Sequence, residues 1–119
     1  MENYKVVRPG HLNHYGYLFG GFLLQWVDEI GWIAASRDNP GCRLVTVGMD
    51  RVEFHHSVRE GSVLRFEATE SCRGTSSLTY AVSVFADDLE TGTGQEIFST
   101  CITFVRVDED GRKCPLPGR

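Results

Sequence analysis

Between Phe19 and Ala35 the apolar side chains cover nearly the whole circumference of a helix. Phe19, Phe22, Leu23, Trp26, Val27, Ile30, Ile33 and Ala34 recur at helical spacing, and Leu24, Gly31 and Ala35 widen the stripe. Such a helix needs a surface to lie against on most sides. Ser36-Arg37-Asp38-Asn39-Pro40-Gly41 should end it, because Pro and Gly break helices. After that point the hydrophobic period falls to two, which is the period of strands.

Strands are expected from Leu44 to Phe54, from Val63 to Ala68, from Leu78 to Phe85 and from Ile97 to Val107. Turns at Arg73-Gly74-Thr75 and Thr91-Gly92-Thr93-Gly94 separate the later ones. Short connections predict an antiparallel meander with one face covered. With a short N-terminal strand near Tyr4 to Val7, that sheet would wrap the helix. The fold class is therefore α+β, a single domain over residues 1–119, with residues 108–119 as a frayed, flexible tail.

The formal net charge of −4 argues against a nucleic-acid partner, which requires a basic face. No apolar run is long enough for a membrane span, and the N-terminus lacks the apolar region of a signal peptide. Cys42, Cys72, Cys101 and Cys114 lie far apart, as reduced thiols do in a cytoplasmic protein. His55-His56 has no third ligand at metal-binding spacing, so no metal site is expected. The expectation is a cytoplasmic domain with no membrane contact.

Chemistry concentrates before and within the helix. Gly20-Gly21 stands at the helix start, where the first amides lack intrahelical acceptors and carry the positive end of the dipole. Glycine there admits a ligand close to those amides, as an oxyanion would require; it equally permits tight helix–sheet packing. Asp28 has Leu24, Gln25, Gly31 and Trp32 as its helical neighbours and no cation among them. On so apolar a helix its carboxylate would be partly desolvated, hence a better base or nucleophile than a surface acid. The alternative is that Asp28 and Glu29 share the one solvated strip of the helix.

Asn13-x-x-Gly16-x-x-Phe19-Gly20-Gly21, followed by Trp26-x-Asp28, resembles the acyl-CoA thioesterase branch of the hotdog superfamily. The likeness continues through Thr46-Val47-Gly48-Met49-Asp50, Gly61, Gly74-Thr75-Ser76-Ser77 and Thr103-Phe104-Val105. It implies one long central helix wrapped in a curled antiparallel sheet, dimers joined edge to edge, and active sites at the dimer interface. Asp28 matches the catalytic acid, which activates water or attacks the thioester directly. The Gly20 amide matches the donor that polarises the carbonyl, and Asn13 the side chain that orients the nucleophile. Thr46 falls where related enzymes place a hydroxyl that assists the attacking water, though it is equally an ordinary strand residue. Coenzyme A enters only as part of the substrate, so no cofactor is implied, and the dimer should assemble further into a tetramer or hexamer.

Gly20 and Asp28 are eight positions apart, or about 12 Å along one straight helix. Both cannot touch one carbonyl at about 3 Å, so a shared substrate needs Asp28 from one chain and Gly20 from another. Coenzyme A contacts are expected from Gly21 and from Arg73 with Gly74, Thr75, Ser76 and Ser77, through guanidinium and turn amides; a plain hairpin turn is the competing reading. Two departures stand out. Phe54-His55-His56-Ser57 lacks the proline that many relatives carry there, which alters the coenzyme mouth. Gly10-His11-Leu12-Asn13-His14 echoes another hotdog branch, but Val7 occupies the place of that branch's nucleophilic Asp. The competing functions are a non-catalytic acyl-CoA sensor and an acyl-thioester hydratase or dehydratase. The first would have little use for an acid at the thioester, and the second lacks its His motif.

Overall fold

In a computed structural model that describes residues 1–118, the helix and strands form one layer upon another. The elements are β1 (Glu2–Val6), a 3-10 turn (Pro9–His11), α1 (Gly20–Asp38), β2 (Arg43–Phe54), β3 (Val63–Arg73), β4 (Ser77–Asp87) and β5 (Gly94–Val107). The five strands make one antiparallel sheet in the order β1-β3-β4-β5-β2. This is the single helix in a wrapped antiparallel sheet that the resemblance implies.

The meander expectation holds only for β3, β4 and β5. The second strand pairs with β5 rather than with its sequence neighbour β3, so β1 and β2 form the two sheet edges. Residues 55–62 therefore cross from one edge to the far side of the sheet. They are pinned where the Leu18 amide donates to the Val58 carbonyl at 2.7 Å and the Val7 amide to Ser62 at 3.0 Å. Val58 itself is buried in the core. Hydropathy patterns locate strands; they do not choose partners for them.

Alternation in β3 and β4 turns Leu64, Phe66, Leu78, Tyr80, Val82 and Val84 onto the helix. From α1 they meet Leu23, Trp26, Val27, Ile30, Ala34 and Ala35. Gly31 lies at the closest approach, where an added Cβ would come within 2.9 Å of Ile102 Cδ1. The rest of the helix is not covered: Phe22, Leu24 and Ile33 are half-buried and Trp32 is exposed. The all-round apolar pattern is thus only partly satisfied within one chain.

The helix ends inside the expected stretch, after Asp38, where Asn39 turns its Nδ2 back onto the Ala35 carbonyl at 2.9 Å and satisfies an orphan acceptor. The last segment differs from expectation. The segment from Asp108 onward does not hang free. It folds back so that the Cys114 amide reaches Arg106 O and the Leu116 amide reaches Thr75 O, and Leu116 packs on the core. Among the described residues no helix is long and apolar enough to cross a membrane.

Candidate active site

Asp28 lies on the face of α1 that looks toward the edge strand β2. The Thr46 hydroxyl donates to Asp28 Oδ1 at 2.8 Å, so one carboxylate oxygen is anchored. Among the described residues nothing donates to the other oxygen, and the side chain is half-buried. The carboxylate is therefore oriented by the strand and still open to a reactant. Thr46 pairs with Phe104 of β5, and the β2–β5 register shifts directly after it, before Gly48.

The start of the helix is the second part. Phe19 precedes it in extended conformation and supplies no side-chain cap. Among the described residues no acceptor takes the Gly20 or Gly21 amide. Gly20 opens on a cleft of about 220 Å³, whose wall includes Leu18, Leu23, Phe54, His55, His56 and Ser57. A Cβ on Gly20 would stand 3.3 Å from the Phe54 ring, and one on Gly21 would run into the Phe19 ring. Each glycine thus lets an aromatic ring approach the helix start, as Gly31 lets the helix approach the sheet.

Asn13 is engaged within its own loop. Its Oδ1 accepts the amides of Tyr15 at 2.9 Å and Tyr17 at 3.1 Å, which closes the loop leading into α1. Only its Nδ2 protons remain for other work.

Arg73 and its turn lie elsewhere. The Arg73 guanidinium reaches Asn39 Oδ1 at 3.1 Å, the Pro117 carbonyl at 2.7 Å and the Glu70 carboxylate at 3.7 Å. The carbonyls of Thr75 and Ser76 accept from Leu116 and Arg106, and the Gly74 amide donates to Ser77. This cluster sits at the C-terminal end of α1, the opposite end from Gly20. The residues that sequence reasoning passes over are His55, His56 and Ser57, which stand out there only as a non-metal pair and a missing proline. A polar run directly after an apolar edge strand is their one signal.

The chain places Gly20 and Asp28 on one continuous helix, so their separation of about 12 Å along the axis stands. Among the described residues no group of three or more His, Cys, Asp or Glu could hold a metal ion.

Residues 15–93 match the model of the thioesterase superfamily, a span that holds Gly20, Asp28, Thr46 and the 73–77 turn but not Asn13. The chain is 34% identical to a Bacillus subtilis protein named as an uncharacterized acyl-CoA thioester hydrolase, YkhA, over 95% of this chain and 68% of that one. Against longer relatives it spans as little as 17% of their length. An acyl-CoA hydrolase from Staphylococcus aureus, solved with butyryl coenzyme A and coenzyme A, superposes with a TM-score of 0.92 at 31% identity, over 99% of this chain and 71% of that chain. Variants of that hydrolase replace one Asn, one Asp or one Thr by Ala, the Asn and Asp fifteen positions apart. A hexameric hotdog-fold thioesterase of Campylobacter jejuni superposes with a TM-score of 0.83 at 32% identity, over 97% of this chain and 88% of that chain.

Proposed function

The chain belongs to the thioesterase superfamily, and from that membership we propose that it hydrolyses acyl-CoA thioesters to coenzyme A and a carboxylic acid at a site shared between two copies. The observation that carries this reading is the Asp28 carboxylate, held at one oxygen by Thr46 and open at the other, on the side of the helix that one chain leaves uncovered. Asp28 takes a proton from water as the water oxygen adds to the thioester carbonyl, or attacks that carbon itself. The negative charge that develops on the carbonyl oxygen is met by the Gly20 amide of the partner subunit. The C–S bond then breaks and the coenzyme A thiolate leaves, to be protonated by solvent. Asp28 returns the proton it took to solvent, or, where it attacked directly, water hydrolyses the acyl–Asp28 anhydride to the free acid. Water and substrate are the only reactants, with coenzyme A a part of the substrate.

The second copy is proposed to join at β2. This strand is a sheet edge of 12 residues, and it exposes Val45, Val47, Val52 and Phe54. A long apolar edge with unpaired amides and carbonyls invites another strand. Pairing there would also cover Leu24 and Trp32, which flank Asp28 along the helix. The fifteen-position spacing of Asn13 and Asp28 equals that of the Asn and Asp altered in the Staphylococcus aureus hydrolase, which supports both assignments. Arg73 and residues 74–77 are proposed to reach the distal part of coenzyme A, from the far end of the helix. Gly21 lies next to the carbonyl donor. A hexamer built from three dimers fits the assemblies of the relatives.

The test is release of free thiol from short, medium, long and aryl acyl-CoAs, with Asp28→Ala beside the wild type. Wild-type turnover by that variant would remove Asp28 from the reaction. Mixing Asp28→Ala with Gly20→Pro tests the shared site. Subunit exchange should restore one intact centre per heterodimer, and no recovery after proven exchange would show that each chain works alone.

A further inference from the structure

A second cleft opens on the opposite side of the helix, between β1, the 3-10 turn and α1. It encloses about 480 Å³, and its wall includes Tyr4, Lys5, Arg8, His11, Trp26 and Val63. That volume suits a small organic ligand and exceeds the needs of a bare ion. Trp26 and Asp28 are two positions apart on α1, about 200° around the helix, so this cleft and the Asp28 carboxylate face different ways. The Gly20 cleft has other walls again.

The polar side chains here offer donors almost exclusively. Lys5 holds its ammonium 5.5 Å from the centre of the Trp26 ring and makes no ion pair among the described residues. Arg8 likewise has no carboxylate partner there. His11 accepts the Arg8 amide at Nδ1, 3.0 Å away, so its neutral ring carries its proton on Nε2 and can only donate. Its ring is fixed edge-on between Phe22 and Trp26, at 5.3 and 4.8 Å between centroids. Glu2, which accepts the Tyr4 hydroxyl at 3.3 Å, shares with Tyr4 the face of β1 opposite to Lys5, and Asp87, close enough to act on Tyr4, is itself paired with Arg65. On a chain with a net charge of −4, two unpaired cations and a fixed imidazole donor around one hollow are a local reversal of sign.

We propose that this cleft is a binding site for a small phosphorylated molecule, separate from the crevice that carries Asp28. A phosphate is an acceptor-only group whose several oxygens can engage guanidinium, ammonium and imidazole at once. Trp26 and Val63 supply the apolar part of the wall for the organic portion. Such a group has two sources: a free nucleotide, or the phosphates of coenzyme A itself.

The experiment reads Trp26 fluorescence in a Trp32→Phe, Asp28→Ala chain titrated with pyrophosphate, ADP and free coenzyme A, with calorimetry on the wild type as a second measure. Using the Asp28→Ala background separates this binding from the hydrolase assignment, since no turnover is involved. A saturable change that weakens with added salt, and by about tenfold or more in Lys5→Gln/Arg8→Gln, is expected. If coenzyme A competes with ADP and the double variant raises KM at constant kcat, the phosphates are the substrate's own. If ADP binds and KM does not move, the ligand is a separate molecule. No saturable response by fluorescence or calorimetry to any of the three probes, or undiminished binding in a double variant of wild-type melting temperature, overturns the proposal.

Discussion

Replacing Thr46 by Val removes one hydroxyl and little else. Valine has nearly the same shape, prefers strands as threonine does, and leaves the β2 backbone unchanged. What disappears is the 2.8 Å bond that holds Asp28 Oδ1. A hydrogen bond to an ionised group is worth about 1.5–3 kcal/mol. Because Thr46 is exposed and Asp28 only half-buried in one chain, water recovers part of that, and about 1–2 kcal/mol is a fair range for the orientation lost. At 1.36 kcal/mol per decade this amounts to a fall in kcat of about 5- to 30-fold. KM should hold, since the bond orients the carboxylate and does not touch the bound coenzyme. Thr46→Ser keeps the hydroxyl and should recover most of the rate, which no purely structural role of the strand would produce. The assay is thiol release under saturating and limiting acyl-CoA, on proteins with matched melting temperatures. Wild-type kcat in Thr46→Val, alongside an inactive Asp28→Ala, would refute the idea that the strand aims the carboxylate.

Other outcomes follow from the same geometry. Val45→Lys with Val47→Lys places two charges on the β2 edge, where Val47 is 58% exposed, and should yield monomers in analytical ultracentrifugation with thiol release lost. Tyr80→Phe deletes the buried hydroxyl that donates to Asp38 Oδ2 at 2.6 Å, and should cost about 1–2 kcal/mol in urea unfolding at fixed protein concentration, with kcat retained. Phe104→Ala empties a fully buried site opposite the helix and should cost about 3–5 kcal/mol, read as a lower urea midpoint. The amides of Glu90 and then Thr91, bonded to Asp88 Oδ1, hold the Asp88 carboxyl below its ordinary 3.8. Its contribution is therefore complete above pH 3.8 and lost as pH falls through the lowered value, so both amides should exchange faster there in wild type, and show no such step in Asp88→Asn.

The elements are legible because each is written in a local period. Leu64, Phe66 and Ala68, then Leu78, Tyr80, Val82 and Val84, alternate cleanly, and all are buried. Strand partnership is not legible, since nothing within Arg43–Phe54 says that β5 rather than β3 will lie beside it. That choice is made by residues 55–62, whose crossing depends on Val58 finding the core and on backbone bonds to Val7 and Leu18. The tail misleads for a related reason. Its prolines and charges look disordered, yet Leu116 meets the core and its amide meets Thr75, contacts made across a long stretch of chain. Arg73 shows the same blindness in the site, because a free cation and one tied to Asn39 and Pro117 have identical sequences.

The link between Asp28 and Thr46 joins residues 18 apart, and in the sequence a strand threonine and a hydroxyl aimed at a carboxylate look alike. The fold decides between them by placing the hydroxyl on the carboxylate. The helix, by contrast, carries the case for a partner in its own side chains. An apolar surface nearly all round, Gly20 and Asp28 too far apart to share a carbonyl, and a single sheet able to cover only one side cannot be reconciled inside one chain. The fold leaves Leu24, Asp28 and Trp32 in a row beside the unpaired edge of β2. A second copy on that edge would cover the apolar row and bring a foreign Gly20 amide toward the open oxygen of Asp28. The same contact that completes the burial would then complete the chemistry, so dimer dissociation and loss of hydrolysis should follow one concentration dependence.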